Sequence, residues 1–143
     1  MLLETKGSLF LTGPPYILAH CISKDCKMGA GIAADFNLKY PGMKSYCLSR
    51  NPQVGEAVFF DPPNGRPPVF NLITKAAYYN KPTYTSLRSA LEDMKNQCLS
   101  RDIRHVAMPQ IGCGLDRLSW PRVRALIVDV FQDTDIEIVV KTL

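Results

Sequence analysis

From Val69 to the end of the chain, short apolar runs alternate with stretches of helical periodicity, and no other feature narrows the fold as much. Val69 to Thr74, His105-Val106-Ala107-Met108 and Ile136-Glu137-Ile138-Val139-Val140 have strand length and are rich in apolar, largely β-branched side chains. Between the first two, Leu87, Ala90, Leu91, Met94 and Cys98 keep the three-and-four spacing of an amphipathic helix running from Thr83 to about Leu99. That helix leaves Arg88, Glu92, Asp93 and Lys95 for solvent. Between the last two, a helix capped by Ser119, with Pro121 in its first turn, gathers Val123, Leu126, Ile127, Val130 and Phe131 on one face. Strands that alternate with helices predict an α/β fold with a sheet sandwiched between helix layers.

The first half is less regular. Leu9-Phe10-Leu11 and Ile17-Leu18-Ala19 read as short strands separated by the turn Gly13-Pro14-Pro15. Beyond Gly29-Ala30-Gly31, the residues Ile32, Phe36 and Tyr40 lie four apart, which predicts a helix stopped by Pro41-Gly42. Glu56 to Phe60 pairs naturally with Val69 to Thr74 as a hairpin whose Pro-rich loop, Asp61 to Pro68, sits on the surface. With 143 residues, 46% of them hydrophobic, the chain fills one core, so residues 1–143 are expected to form one domain.

Composition removes several functional classes. No apolar run approaches the roughly 18 residues a bilayer requires, and Glu4 and Lys6 interrupt the start before a secretory h-region can develop. An intracellular protein without membrane association is the expectation, in nucleus or cytoplasm. The five cysteines, Cys21, Cys26, Cys47, Cys98 and Cys113, show no paired spacing, and no second pair completes His20-Cys21 and Cys26 as ligands. Reduced thiols and no metal follow. A net charge of +4 favours anionic partners without the basic clustering of a dedicated nucleic-acid binder.

Two glycine-bearing turns, Met28-Gly29-Ala30-Gly31-Ile32-Ala33 and Pro109-Gln110-Ile111-Gly112-Cys113-Gly114-Leu115, each follow an apolar strand and precede a helix. Glycine lets backbone N–H groups approach an anion closely, and a helix start adds positive dipole, so a pyrophosphate would fit between them. The same glycines could equally serve only to make tight turns. Lys75 ends an apolar strand, where it is either a solvated edge residue or, facing a cleft, a nucleophile for a carbonyl-like or anomeric carbon. Asp116 follows the second glycine turn beside Arg117, as either a salt-bridged turn residue or an acid/base aimed at the same cleft.

Together these stretches resemble the macrodomain family, in its branch of terminal ADP-ribose protein glycohydrolases, also described as O-acetyl-ADP-ribose deacetylases. The similarity runs through Lys6-Gly7-Ser8-Leu9-Phe10, Leu18 to Ala33, Leu72-Ile73-Thr74-Lys75, Lys81-Pro82-Thr83-Tyr84 and Met108 to Leu118, in family order. It implies a single macrodomain, a three-layer α/β/α sandwich around a mixed sheet, with a cleft for ADP-ribose. Gly29, Ala30, Gly31 and Ile32 would wrap the distal ribose and a phosphate, and Ile111, Gly112, Cys113, Gly114 and Leu115 would cradle the pyrophosphate. His20 and Ser23 would line the distal-ribose region, and Ser8 and Leu9 the adenine end. The family commonly has an acid where Ser8 stands, so adenine would lose a charge-assisted hydrogen bond.

The resemblance further implies that Lys75 is the nucleophile and Asp116 the acid/base. The expected activity is removal of ADP-ribose from glutamate or aspartate of ADP-ribosylated proteins, with O-acetyl-ADP-ribose deacetylation as a side activity, and a role in the DNA damage response. No cofactor is implied, and the protein would act as a monomer. The alternatives are a reader that binds ADP-ribose without turnover and a glycohydrolase acting on ADP-ribosylated nucleic acid.

Overall fold

The computed structural model describes residues 1–143. Its strands are β1 (Leu2–Lys6), β2 (Ile17–Ser23), β3 (Ala57–Phe60), β4 (Val69–Lys75), β5 (His105–Met108) and β6 (Glu137–Thr142). Its helices are α1 (Gly31–Lys39), α2 (Met43–Ser49), α3 (Tyr84–Arg101) and α4 (Trp120–Phe131). One six-stranded sheet runs in the order β1-β6-β5-β2-β4-β3. Every pairing is parallel except the β3–β4 hairpin, so the sheet is mixed, as the resemblance implies.

The strands' period of two divides the apolar side chains between two helix layers. Phe70, Leu72, Val106, Met108, Ile138 and Val140 pack with Leu87 and Leu91 of α3 and Val123 and Ile127 of α4. Their alternates Val69, Ile73, Ala107 and Val139 pack on the opposite face with Phe36 and Tyr40 of the first helical segment and Met43 and Cys47 of α2. The result is the three-layer α/β/α sandwich.

Helix α3 starts where Thr83 predicts it. The Thr83 hydroxyl accepts the Ser86 N–H while the Ser86 hydroxyl accepts the Thr83 N–H, closing a reciprocal capping box. Ser119 occupies the N-cap of α4 with no side-chain hydrogen bond to the helix; it caps by position only. Asp93 is not left to solvent, since its carboxylate accepts the Ala57 N–H of β3 at 2.7 Å. Leu9–Leu11 is a 3-10 turn rather than a strand, begun by Ser8, whose hydroxyl accepts the Phe10 N–H at 3.3 Å. The sheet's first strand is β1, four of whose five residues are exposed.

Candidate active site

Strands β5, β2 and β4 are adjacent and parallel, so their carboxyl ends open on one edge of the sheet, where α/β folds place their ligand sites. A cleft of about 960 Å³ occupies that edge, large enough to bury an extended small molecule. Cys21, Ile22 and Ser23 of β2 and Lys75 of β4 form its floor. Gly29, Ala30, Gly31 and Ile32 lie along one side, with Ile111, Gly112, Gly114, Leu115 and Asp116 along the other.

The register explains how Lys75 reaches this cleft. Ile22 pairs with Ile73, but Ser23 pairs with Lys75, so Thr74 is an extra residue in a β-bulge at the end of β4. Such bulges bend a strand and re-aim its terminal side chain. The Lys75 ammonium meets the Asp116 carboxylate at 2.6 Å, with only 14% and 17% of the two side chains exposed. Two residues 41 positions apart are thereby one ion pair at the cleft wall. Asp116 pairs with Lys75, not with its neighbour Arg117.

Asp116 is the one carboxylate in the cleft lining, and no imidazole is present there. The thiols are poor rivals as nucleophiles. Burial, reinforced by the Asp116 carboxylate, pushes Cys21 up to about 12, leaving negligible thiolate at neutral pH. Burial also raises Cys113.

The two glycine turns face each other across the cleft. Gly31 has φ +59°, and a Cβ there would touch the Leu115 side chain at 3.4 Å, so the loops meet at this point. Gly112 has φ +73°, with an added Cβ only 2.9 Å from Leu118. That backbone is the left-handed region, which costs an ordinary residue roughly 1–2 kcal/mol and a β-branched one more. Gly112→Val is therefore expected to distort this loop and raise the Kd for ADP-ribose, the ligand the family resemblance implies, at least about tenfold. Gly114, with open space around it and an ordinary φ, should tolerate alanine in the same calorimetric titration. Equal affinity for Gly112→Val would remove the loop from the binding site.

Other expected site residues are placed elsewhere. His20 is fully buried, stacked on Phe36 with ring centroids 3.9 Å apart, and its Nε2 donates to Asn71 Oδ1 at 2.7 Å. It faces the α1 layer because strand alternation turns it away from Cys21, and burial lowers it to about 4, so it is a neutral core residue. Ser8 and Leu9 do not line the cleft; the Ser8 hydroxyl is spent on its 3-10 turn and Leu9 is buried beneath it. Cys113 also lies outside the lining, its thiol turned back to the Ile111 carbonyl at 3.3 Å. Ser23 does line the cleft, its hydroxyl donating to Asp25. Helix α4 starts at Trp120, five residues beyond Leu115, so only the first glycine turn leads directly into a helix. Tyr78, Tyr79 and Asn80, which belong to none of the stretches singled out in the sequence, also line the cleft, as do Lys27 and Gln110 at the two glycine turns.

The family model described as Macro domain matches residues 19–127. The chain is 46% identical over 138 residues to the Homo sapiens protein named ADP-ribose glycohydrolase OARD1, covering 96% of this chain and 89% of that one. It is 26% identical over 138 residues to a Thermus aquaticus protein named DNA ADP-ribosyl glycohydrolase, covering 92% of this chain and 38% of that longer one. Among solved structures, the macrodomain of Thermus aquaticus DarG superposes with a TM-score of 0.88 at 23% identity, covering 100% of this chain and 99% of the other.

Proposed function

The chain belongs to the macrodomain family, and on that footing we propose that it is an ADP-ribosyl glycohydrolase that frees glutamate and aspartate side chains of proteins from ADP-ribose, with Lys75 as nucleophile. The observation that carries the reading is the Lys75–Asp116 pair at the end of a cleft walled by two glycine loops. A module that only binds ADP-ribose has no use for a nucleophile and an acid/base in contact.

The backbone N–H groups around Gly29–Ile32 and Ile111–Leu115 hold the phosphates and orient the distal ribose, leaving its anomeric carbon before Lys75. The Lys75 ammonium passes a proton to Asp116, 2.6 Å away, and the freed amine forms a C–N bond to that carbon as the C–O bond to the acyl group breaks. The bonding pair leaves with the acceptor as a carboxylate, a stable leaving group, to which Asp116 gives up the proton, so that Asp116 is again a carboxylate beside the adduct. Water then attacks the same carbon, Asp116 accepts its proton and hands it to the amine that leaves as the C–N bond breaks, which releases ADP-ribose and restores the Lys75–Asp116 pair. The same cleft would hold O-acetyl-ADP-ribose, making deacetylation a side activity.

The decisive assay incubates the protein with an ADP-ribosyl transferase modified on its own carboxylates. Release of free ADP-ribose with regeneration of unmodified acid is expected. Retention of the modified protein without release would replace the enzyme with a reader.

A further inference from the structure

The residues just beyond Lys75 build a surface that the proposed chemistry does not use. Tyr78 and Tyr79 line the cleft yet are 58% and 74% exposed, so two adjacent aromatic rings face solvent at its mouth. They are not loosely held. Their rings pack edge to face, with centroids 5.4 Å apart, and the Lys27 ammonium lies over Tyr78, 5.3 Å from its centroid.

The backbone beneath them is also fixed. Asp25 accepts the Tyr78 N–H at 3.0 Å through one carboxylate oxygen and the Lys27 N–H and Ser23 hydroxyl through the other. One side chain thus ties the end of β2, the start of the first glycine turn and the tyrosine segment together. Asn80 closes the segment, its side chain accepting the Ala77 N–H at 2.9 Å. Across the opening, Lys81 donates to the Leu115 carbonyl at 3.3 Å, beside Asp116.

Lys27 and Lys81 are exposed cations that form no close ion pair, although the Asp25 carboxylate lies near enough to Lys27 for each charge to favour the other, and both line the cleft that holds the Lys75–Asp116 pair. Asp25 stays an anion, its charge favoured by the hydroxyl and backbone N–H groups that donate to it and by Lys27, while Asp116 is committed to Lys75. With Lys27, Lys75 and Lys81 set against Asp25 and Asp116, the rim of the reaction centre keeps a net positive charge and is aromatic, ordered and open to solvent. We infer that this Tyr78–Tyr79–Lys27–Lys81 rim is the acceptor-recognition surface of the enzyme, selecting an acidic peptide segment around the modified carboxylate.

This inference rests on the glycohydrolase reading above and adds to it the partner chemistry. Tyrosine rings give a rigid apolar surface at low entropic cost for the peptide backbone and aliphatic parts, and the lysines complement neighbouring carboxylates. Perpendicular rings, one with a face taken by Lys27, offer no pair of parallel platforms for successive nucleobases, which favours peptide over single-stranded nucleic acid.

The test uses two synthetic peptides carrying glutamyl-linked ADP-ribose, one with acidic and one with lysine flanks, together with O-acetyl-ADP-ribose and an ADP-ribosylated oligonucleotide. The native protein should prefer the acidic over the basic peptide about tenfold in kcat/KM, and high salt should erase the preference. Lys27→Glu should reverse it, and Tyr79→Ala should lower the ratio of acidic peptide to O-acetyl-ADP-ribose at least about fivefold. Equal ratios in native and variant proteins would overturn the proposal. So would uniform loss on every substrate, which would assign the lysines to the pyrophosphate, or an effect confined to the oligonucleotide. If the native protein turns over none of these substrates, it is the glycohydrolase reading that fails.

Discussion

Lys75→Ala is expected to lower release of carboxylate-linked ADP-ribose at least about a thousandfold while leaving ADP-ribose affinity within a few-fold of native. The asymmetry follows from where the binding groups lie. The phosphates are assigned to backbone N–H groups of two loops, and a side-chain truncation at the end of β4 leaves those loops in place. Lys75→Arg should be equally inactive, because a guanidinium keeps its proton and has no free pair to attack with. Both variants also lose or alter the partner of Asp116, a carboxylate only 17% exposed, so a modest fall in Tm is expected alongside. Steady-state release and calorimetric titration on the same preparations separate the chemistry from that cost. Substantial turnover by Lys75→Ala would transfer the attack to a directly activated water.

What made Lys75 conspicuous in the sequence was its position at the end of an apolar strand, and the sheet shows why that position is legible. Alternation in β4, β5 and β6 must satisfy two helix layers at once, so the strand pattern is strong and its end is marked by the first charge. β1 escaped the same reasoning because it is an edge strand with four exposed residues and no apolar face to display. Leu9-Phe10-Leu11 misled because an apolar triplet fits a strand or a single turn; the Ser8 hydroxyl and the buried Leu9 decide for the turn. Helix α2 lies directly after Pro41-Gly42, a stop signal that also serves as a restart when Gly42 adopts φ +87°.

At the site, the strand-end lysine and the glycine turns could be read one by one, but their meeting could not. The contact between Lys75 and Asp116 depends on a one-residue bulge at Thr74, which changes no composition and breaks no pattern. His20 shows the opposite failure. It stands one residue from the cleft-lining Cys21, and only the strand's period places its ring against Phe36 instead. Tyr78 and Tyr79 carry no periodic signal because they belong to a loop whose order comes from Asp25, more than fifty residues earlier.

Asp116→Ala should fold, bind ADP-ribose and stall with one ADP-ribosyl group on the enzyme. A covalent route needs one group to make the adduct and another to resolve it, and the two halves place different demands on the carboxylate. Attack needs the Lys75 amine at the anomeric carbon, and solvent can carry away the proton it sheds. Resolution needs a water deprotonated beside the adduct, and no second carboxylate or imidazole lines the cleft to do it. Loss of Asp116 is therefore felt chiefly in the second half. Intact-protein mass spectrometry after incubation with modified substrate should show a single adduct, and peptide mapping should place it on Lys75. An inactive protein without adduct would show that solvent cannot replace Asp116 as acceptor of the Lys75 proton, 2.6 Å away, and that the first half depends on the carboxylate as well. Native turnover by Asp116→Ala would reduce the pair to a structural ion bridge, and with it the covalent mechanism would lose its acid/base.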